Sequence, residues 1–331
     1  MTLRAVLIGL GRMGQNHLRV LTDLSGVDVV GVSDLDPLNG KLAHRAGVSF
    51  HADYVRMLDE LRPDIAVVSV PTDHHASVTI AALQAGCHVL VEKPIASSVH
   101  EAEQMIAIAR AHQRLLMVGH VERFNPVVTE MARRLKAGEL GRVFKMHARR
   151  LSPFPARIQD VGVTLDLATH DIDAMHLLVG ETPLRAFAET SQQVHRTRED
   201  MVSGVLRFPG GAIGVLDVSW LSPKKLRQLW VSGEGGTYMA DYLTQDMYWC
   251  KNGRTSDSWG PGSYFAGAIE GDEIKTWMPK REPLRVEHEA FLDAVLNEKV
   301  SPCSGEDGMV ALRVALALVQ SGQTGDVVRL A

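Results

Sequence analysis

At 331 residues the chain is long enough for two domains, and its 45% hydrophobic content supports full cores, which excludes a disordered polymer. A net charge of -4 and a pI near 6.4 argue against nucleic acid or a membrane surface as the general partner. Three cysteines without motif spacing provide no zinc or disulfide framework, and the N-terminus reads as neither a signal peptide nor a membrane span, so a cytoplasmic protein is expected.

In chain order, Val/Ile/Leu-rich runs at 4–9, 27–34, 65–70, 88–92 and 115–119, with a weaker one at 48–50, alternate with helical stretches around 12–24, 36–46, 53–61, 75–85 and 98–113. Runs that are apolar throughout suit strands buried on both faces of a parallel sheet, so residues 1–122 read as a doubly wound, Rossmann-type α/β domain. Beyond that the texture changes. In 141–150 Phe144, Met146 and Ala148 alternate with Val143, Lys145, His147 and Arg149, which is the pattern of a half-buried strand. Further strands are expected at 184–195, 201–208, 212–220, 226–233 and 236–242, a long loop or irregular hairpin over 251–283, and helices at 286–298 and 305–321. Residues 123–331 therefore read as an α+β domain on a mostly antiparallel sheet, one face of which can pair with another subunit, giving a homodimer or homotetramer.

The first run ends in Gly9-Leu10-Gly11-Arg12-Met13-Gly14, a G-x-G-x-x-G that follows a strand and opens a helix, with Asp34 ending the second strand. Gly9 permits the tight turn, Gly11 lets backbone approach a pyrophosphate, and Gly14 lets helix and strand pack closely, while Arg12 and Met13 start the helix whose free N–H groups take the phosphates. Asp34 is placed to accept the adenosine ribose hydroxyls and to repel a 2′-phosphate, so NAD is expected over NADP. Ligands of such sheets bind beyond the carboxyl ends of the strands, where Pro71 and His75 follow the run at 65–70 and Glu92-Lys93-Pro94 ends the run at 88–92. Lys93 could polarise a substrate oxygen there, or simply cap the strand.

Residues 166–173, DLATHDID, gather three acids and a histidine on one helix. Asp166 and His170 are spaced i, i+4 and share a face, with Leu167, Ile172, Met175 and Leu178 opposite. Acids dressing a helix N-terminus, a metal site, or an acid/base pair in which Asp166 orients the His170 imidazole would each give this pattern. No second His/Cys cluster completes a metal site, so no metal is expected.

GLGRMG, PTDHH at 71–75, EKP at 92–94, ERFNP at 122–126 and DLATHDID occur in the order seen in the Gfo/Idh/MocA oxidoreductases, which the chain resembles over nearly its whole length. The resemblance implies NAD-dependent oxidation of a secondary hydroxyl, with Lys93, Asp166 and His170 as catalytic residues. Within the family, 118–126, 149–173 and 219–249 look like the bacterial dehydrogenases that oxidise UDP-N-acetylglucosamine at C3 ahead of an aminotransferase in lipid A biosynthesis. A UDP-sugar substrate fits Arg149, Arg150 and Arg157 ahead of the helix and Lys224, Lys225 and Arg227 in a later hairpin, cationic groups that could hold a diphosphate, and Arg123 and Asn125 are further substrate-binding candidates. A free-sugar or inositol dehydrogenase, a keto-sugar reductase and a non-catalytic cofactor sensor are the rival readings.

Overall fold

The computed structural model describes residues 2–155, 161–253 and 271–330. They group into two compact units, residues 2–124 with 282–313 and 161 in the first, and 125–155, 162–253, 271–281 and 314–330 in the second.

The first unit alternates strand and helix: β1 (Leu3–Ile8), α1 (Arg12–Asp23), β2 (Val27–Ser33), α2 (Gly40–Ala46), β3 (Ser49–His51), α3 (Tyr54–Leu61), β4 (Ile65–Val68), α4 (His75–Gln84), β5 (His88–Glu92), α5 (Val99–Ala111) and β6 (Leu116–Gly119). The six strands are parallel in the order β3-β2-β1-β4-β5-β6, the arrangement of a dinucleotide-binding fold. β4 and β6 are buried at every residue, as strands covered by helices on both faces must be. Local chemistry sets the helix starts: the Asp53 carboxylate accepts the Val55 and Arg56 N–H groups ahead of α3, and Ser98 and Glu101 form a capping box on α5.

The chain continues through α6 (Pro126–Lys136), β7 (Val143–Leu151), α7 (Thr169–Val179), β8 (Arg185–Ser191), β9 (Met201–Arg207), β10 (Ile213–Ser219), β11 (Leu226–Gly233), β12 (Gly236–Asp241), β13 (Asp246–Lys251), β14 (Glu273–Thr276), α8 (Pro283–Leu296), α9 (Gly305–Thr324) and β15 (Val328–Arg329). Strands β7 to β15 form one sheet in the order β14-β13-β12-β11-β7-β10-β9-β8-β15. It is antiparallel except where β10 runs parallel to β7, pairing Val215 with His147 and Asp217 with Arg149. Met146, Ala148 and Arg150 of β7 are buried beneath the covering helices, and His147 and Arg149 point to the other face.

Two departures from the sequence reading stand out, beside a hairpin that it allowed. α6 was not expected, because Arg133, Arg134 and Lys136 dilute an apolar face made only of Val127, Val128 and Met131. The described part of 251–283 holds β14 and the end of β13, paired as a hairpin from Met247–Thr276 to Cys250–Glu273. Residues 282–313, expected in the second domain, group with the first unit, where the Val118 N–H donates to the Cys303 carbonyl at 3.0 Å and Arg285 pairs with Asp23.

Candidate active site

The glycine-rich turn behaves as its sterics require. Gly9 has φ +96°, and a Cβ on it would lie 2.2 Å from the Ser69 carbonyl oxygen. A Cβ on Gly14 would lie 1.9 Å from the Gly9 carbonyl oxygen, so helix α1 can begin against the turn only with hydrogen at that position. A Cβ on Gly11 would meet nothing within 4 Å, which leaves open the side from which a pyrophosphate approaches. Gly11 and Arg12 are exposed and Met13 is half-buried, all at the start of α1. Asp34 stands at the end of β2, where one carboxylate oxygen accepts the Leu10 N–H at 2.6 Å and the other accepts the Asp36 N–H at 2.8 Å. These bonds fix the carboxylate beside the turn, and each oxygen retains a lone pair for a ribose hydroxyl.

At the end of β5 the Lys93–Pro94 peptide is cis, and Lys93 is half-buried. His75 braces this corner from α4. Its Nδ1 lies 2.7 Å from the Pro94 carbonyl oxygen and its Nε2 lies 3.0 Å from that of Val70. Burial pushes the His75 imidazole below its ordinary pKa, against the two carbonyls that favour a proton. Pro71, exposed, starts the short turn that leads into α4. Glu92 is buried; one carboxylate oxygen lies 2.9 Å from His17 Nε2 and the other accepts the Lys93 backbone N–H at 3.1 Å. Burial alone would raise the Glu92 carboxyl, but the His17 hydrogen bond and the Lys93 charge outweigh it and hold the group below its ordinary value. Both His75 and Glu92, expected to meet the cofactor, thus spend these polar atoms inside the protein.

In the second unit, Asp166 lies within a π-helical turn, Thr164–Ala168, which leads into α7, and His170 occupies the first turn of α7. Such wide turns cluster at functional sites, and a wider turn still returns residue i+4 near the face of residue i. Asp166 and His170 are half-buried, whereas Asp171 and Asp173 are buried. The approach to this turn is held by Glu199, which accepts the Val163 N–H at its carbonyl (3.0 Å) and the Thr164 N–H at its carboxylate (3.2 Å). Behind it Phe154, His195 and Trp220 form an aromatic cluster with ring centroids 6.1–6.2 Å apart.

The expected substrate-binding residues divide. Arg149 projects to the face of the sheet opposite α7 and lies 3.5 Å from Asp217, so within this chain it does not join Asp166 and His170. Its neighbour Arg150 is the one turned inward, making two hydrogen bonds to Asp171 at 2.7 and 3.0 Å and stacking over the Tyr242 ring. Asn125 is buried as the N-cap of α6 and donates to the Tyr242 carbonyl at 3.1 Å, which makes it a structural brace. Arg123, also buried, donates to the Pro302 carbonyl at 3.1 Å and Asp307 at 3.2 Å, tying the 302–307 segment into the first unit. Arg157 lies outside the described residues. Sequence reasoning missed His17 and His288, whose contacts join segments far apart in the chain. Among the described residues no group of three or more His, Cys, Asp or Glu side chains is placed to hold a metal ion, and no helix is long and apolar enough to cross a membrane.

Comparison with known proteins identifies the family. Residues 3–120 match the model of the oxidoreductase family's NAD-binding Rossmann fold, and residues 128–239 match the GFO/IDH/MocA C-terminal domain. Inositol 2-dehydrogenase 2 of Saccharopolyspora erythraea is 32% identical over 98% of this chain and 94% of its own. UDP-N-acetylglucosamine 3-dehydrogenase of Acidithiobacillus ferrooxidans is 27% identical over 95% of both chains. A solved structure of that enzyme superposes with a TM-score of 0.85 at 24% identity, covering 97% of this chain and 98% of the other. The chain belongs to the Gfo/Idh/MocA family of NAD-binding oxidoreductases.

Proposed function

We propose that the protein oxidises a secondary hydroxyl of a nucleotide sugar with NAD, with C3 of UDP-N-acetylglucosamine as the favoured position, giving a 3-keto sugar fit for an aminotransferase. The observation that carries the reading is the pairing of a dinucleotide turn, open at Gly11 and bounded by Asp34, with Lys93 at the end of β5 in an oxidoreductase family. The residues present suit NAD: the start of α1 takes the pyrophosphate, and the Asp34 carboxylate takes the ribose hydroxyls and repels a 2′-phosphate. When bound, the dinucleotide supplies the acceptor for the hydride that leaves the substrate carbon.

His170, oriented by Asp166, withdraws the hydroxyl proton, and the Lys93 ammonium stabilises the alkoxide as it develops. General base catalysis of this kind contributes roughly 10²–10⁴-fold. The same groups serve reduction when run backwards. Replacing Lys93 by Met leaves NADH binding in place and removes turnover, measured by fluorescence titration and by absorbance at the nicotinamide band. Turnover near the unaltered level would overturn the assignment.

The nucleotide sugar is supported by the likeness to the UDP-N-acetylglucosamine 3-dehydrogenase and by the exposed Lys224 and Lys225 ahead of β11, which suit a diphosphate. The 32% identity to an inositol 2-dehydrogenase favours a second reading, oxidation of a free polyol. A thermal-shift panel with NADH present separates them: stabilisation by UDP-sugars alone supports the first, by inositols or free sugars alone the second. A homodimer or homotetramer through the open face of the large sheet completes the reading. One cross-strand row there places Trp230, His147, Val215, Val205 and Phe187 side by side. Trp230 and Val205 are each 44% exposed in the single chain, and sedimentation analysis reads the assembly directly.

A further inference from the structure

Three buried groups outside the proposed chemistry stand in a line within the first unit. Glu92 lies 2.9 Å from His17 Nε2, and His17 Nδ1 lies 2.8 Å from Nε2 of His288 on α8. The two imidazoles meet edge to face, 5.0 Å between centroids, and neither has any exposed surface. Proton positions follow from the partners. Ionised Glu92 only accepts, so the hydrogen of His17 on this side is on Nε2. His288 Nδ1 has no partner among the described residues, and a hydrogen there would be a buried, unsatisfied donor. Burial drives the His288 imidazole well below its ordinary pKa, so its single hydrogen sits on Nε2 and is donated to His17 Nδ1. The chain of hydrogen bonds runs one way, His288 to His17 to Glu92, and Glu92 in turn accepts the Lys93 backbone N–H at 3.1 Å.

His17 also sits on α1, one turn after Gly14, on the helix whose start receives the pyrophosphate. We propose that His17 is a positioning residue for Lys93, acting through Glu92, and that it couples the placement of the phosphate-binding helix to that of the lysine. The proposal rests on the reading of Lys93 as the catalytic lysine. His288 holds the His17 ring in the tautomer that serves Glu92, and His75 fixes the opposite side of the same corner through Pro94. A purely structural histidine would explain burial; it would not require the imidazole to bridge the cofactor helix and the carboxylate next to the lysine.

The test compares His17→Gln, whose amide nitrogen reaches the position of Nε2 and keeps the donor to Glu92, with His17→Asn, whose amide lies near Nδ1 and loses it. Two readouts are taken on the whole protein, with and without NADH. The first is the acylation rate of Lys93, followed by peptide mass spectrometry with exposed Lys224 as internal standard. The second is kcat and KM in a sugar panel. In His17→Asn the Lys93 labelling rate departs from that of the parent and loses its response to NADH, and kcat falls roughly 10–100-fold with KM little changed. His17→Gln recovers most of both. Unchanged labelling, NADH response and kcat in folded His17→Asn would overturn the proposal. Should that variant not fold, Glu92→Gln, of equal size, is measured in its place with the same two outcomes. The labelling arm needs no turnover, so failure of the reading of Lys93 as the catalytic lysine, seen as full turnover in Lys93→Met, is distinguishable from failure here.

Discussion

Arg150 of β7 grips Asp171 of α7 through a two-point hydrogen bond, both side chains 1% exposed, and Asp171 is the residue next to His170. The pair therefore fixes the first turn of the helix that carries the proposed base. A buried pair is costly to break from one side, because the remaining charge is stranded. Arg150→Met alone is expected to cost about 3–5 kcal/mol in urea unfolding. Arg150→Met combined with Asp171→Leu is expected to be more stable than Arg150→Met alone. Additive losses would show that the two side chains do not interact.

The glycines of the first turn separate binding from folding. Gly14→Ala drives a Cβ against the Gly9 carbonyl oxygen at 1.9 Å and lowers the melting temperature even without cofactor. Gly11→Ala meets no protein atom within 4 Å, so the apo melting temperature holds while NADH affinity falls, by about tenfold or more. Equal effects of the two on apo stability would refute this division.

Asp34 governs which dinucleotide is accepted. Asp34→Ser removes the negative charge that opposes a 2′-phosphate, and the ratio of NADP to NAD affinity rises by about two orders of magnitude, roughly 2.7 kcal/mol. Because the carboxylate also accepts the Leu10 and Asp36 N–H groups, the variant loses some stability as well. Isothermal titration with both cofactors reads the ratio, and an unchanged ratio would remove Asp34 from the specificity argument.

Acid stability should report the buried histidines. His75 and His288 are both held below the ordinary value of 6.5, chiefly by burial. Below 6.5 the unfolded chain takes up protons that the folded protein refuses, so their contribution is full above that value and is lost as pH falls through it. Each histidine adds a slope of up to ~1.4 kcal/mol per pH unit in the window from about pH 6.5 downward. Urea midpoints taken between about pH 7.5 and pH 5 should decline, and His288→Leu should flatten the decline. A flat profile in the parent would contradict the burial argument.

What could be read in the sequence was what local sterics decide. Gly9, Gly14 and Asp34 are dictated by a turn a few residues long, and the six strands of the first sheet are written in unbroken apolar runs. Alternation along β7 announced that Arg149 and Arg150 point opposite ways, but which face α7 would cover depends on pairing with β10 and β11, far along the chain. Arg149 was therefore a substrate-binding candidate with nothing in the sequence to say which face it takes. Asn125 precedes Pro126, which is N-cap writing, yet α6 itself was hidden by its basic residues. His17 and His288 are 271 positions apart, and only the folded chain brings their rings together.

The grouping of residues 282–313 with the first unit carries a consequence for biosynthesis. A ribosome delivers the six parallel strands early, then every strand of the large sheet from β7 to β14, and only afterwards α8 with His288. The nucleotide-binding half must wait, with His17 lacking its ring partner, until α8 has been made. β15 follows α8 and α9 in the chain and pairs back with β8. Premature termination anywhere before α8 would leave both halves unfinished.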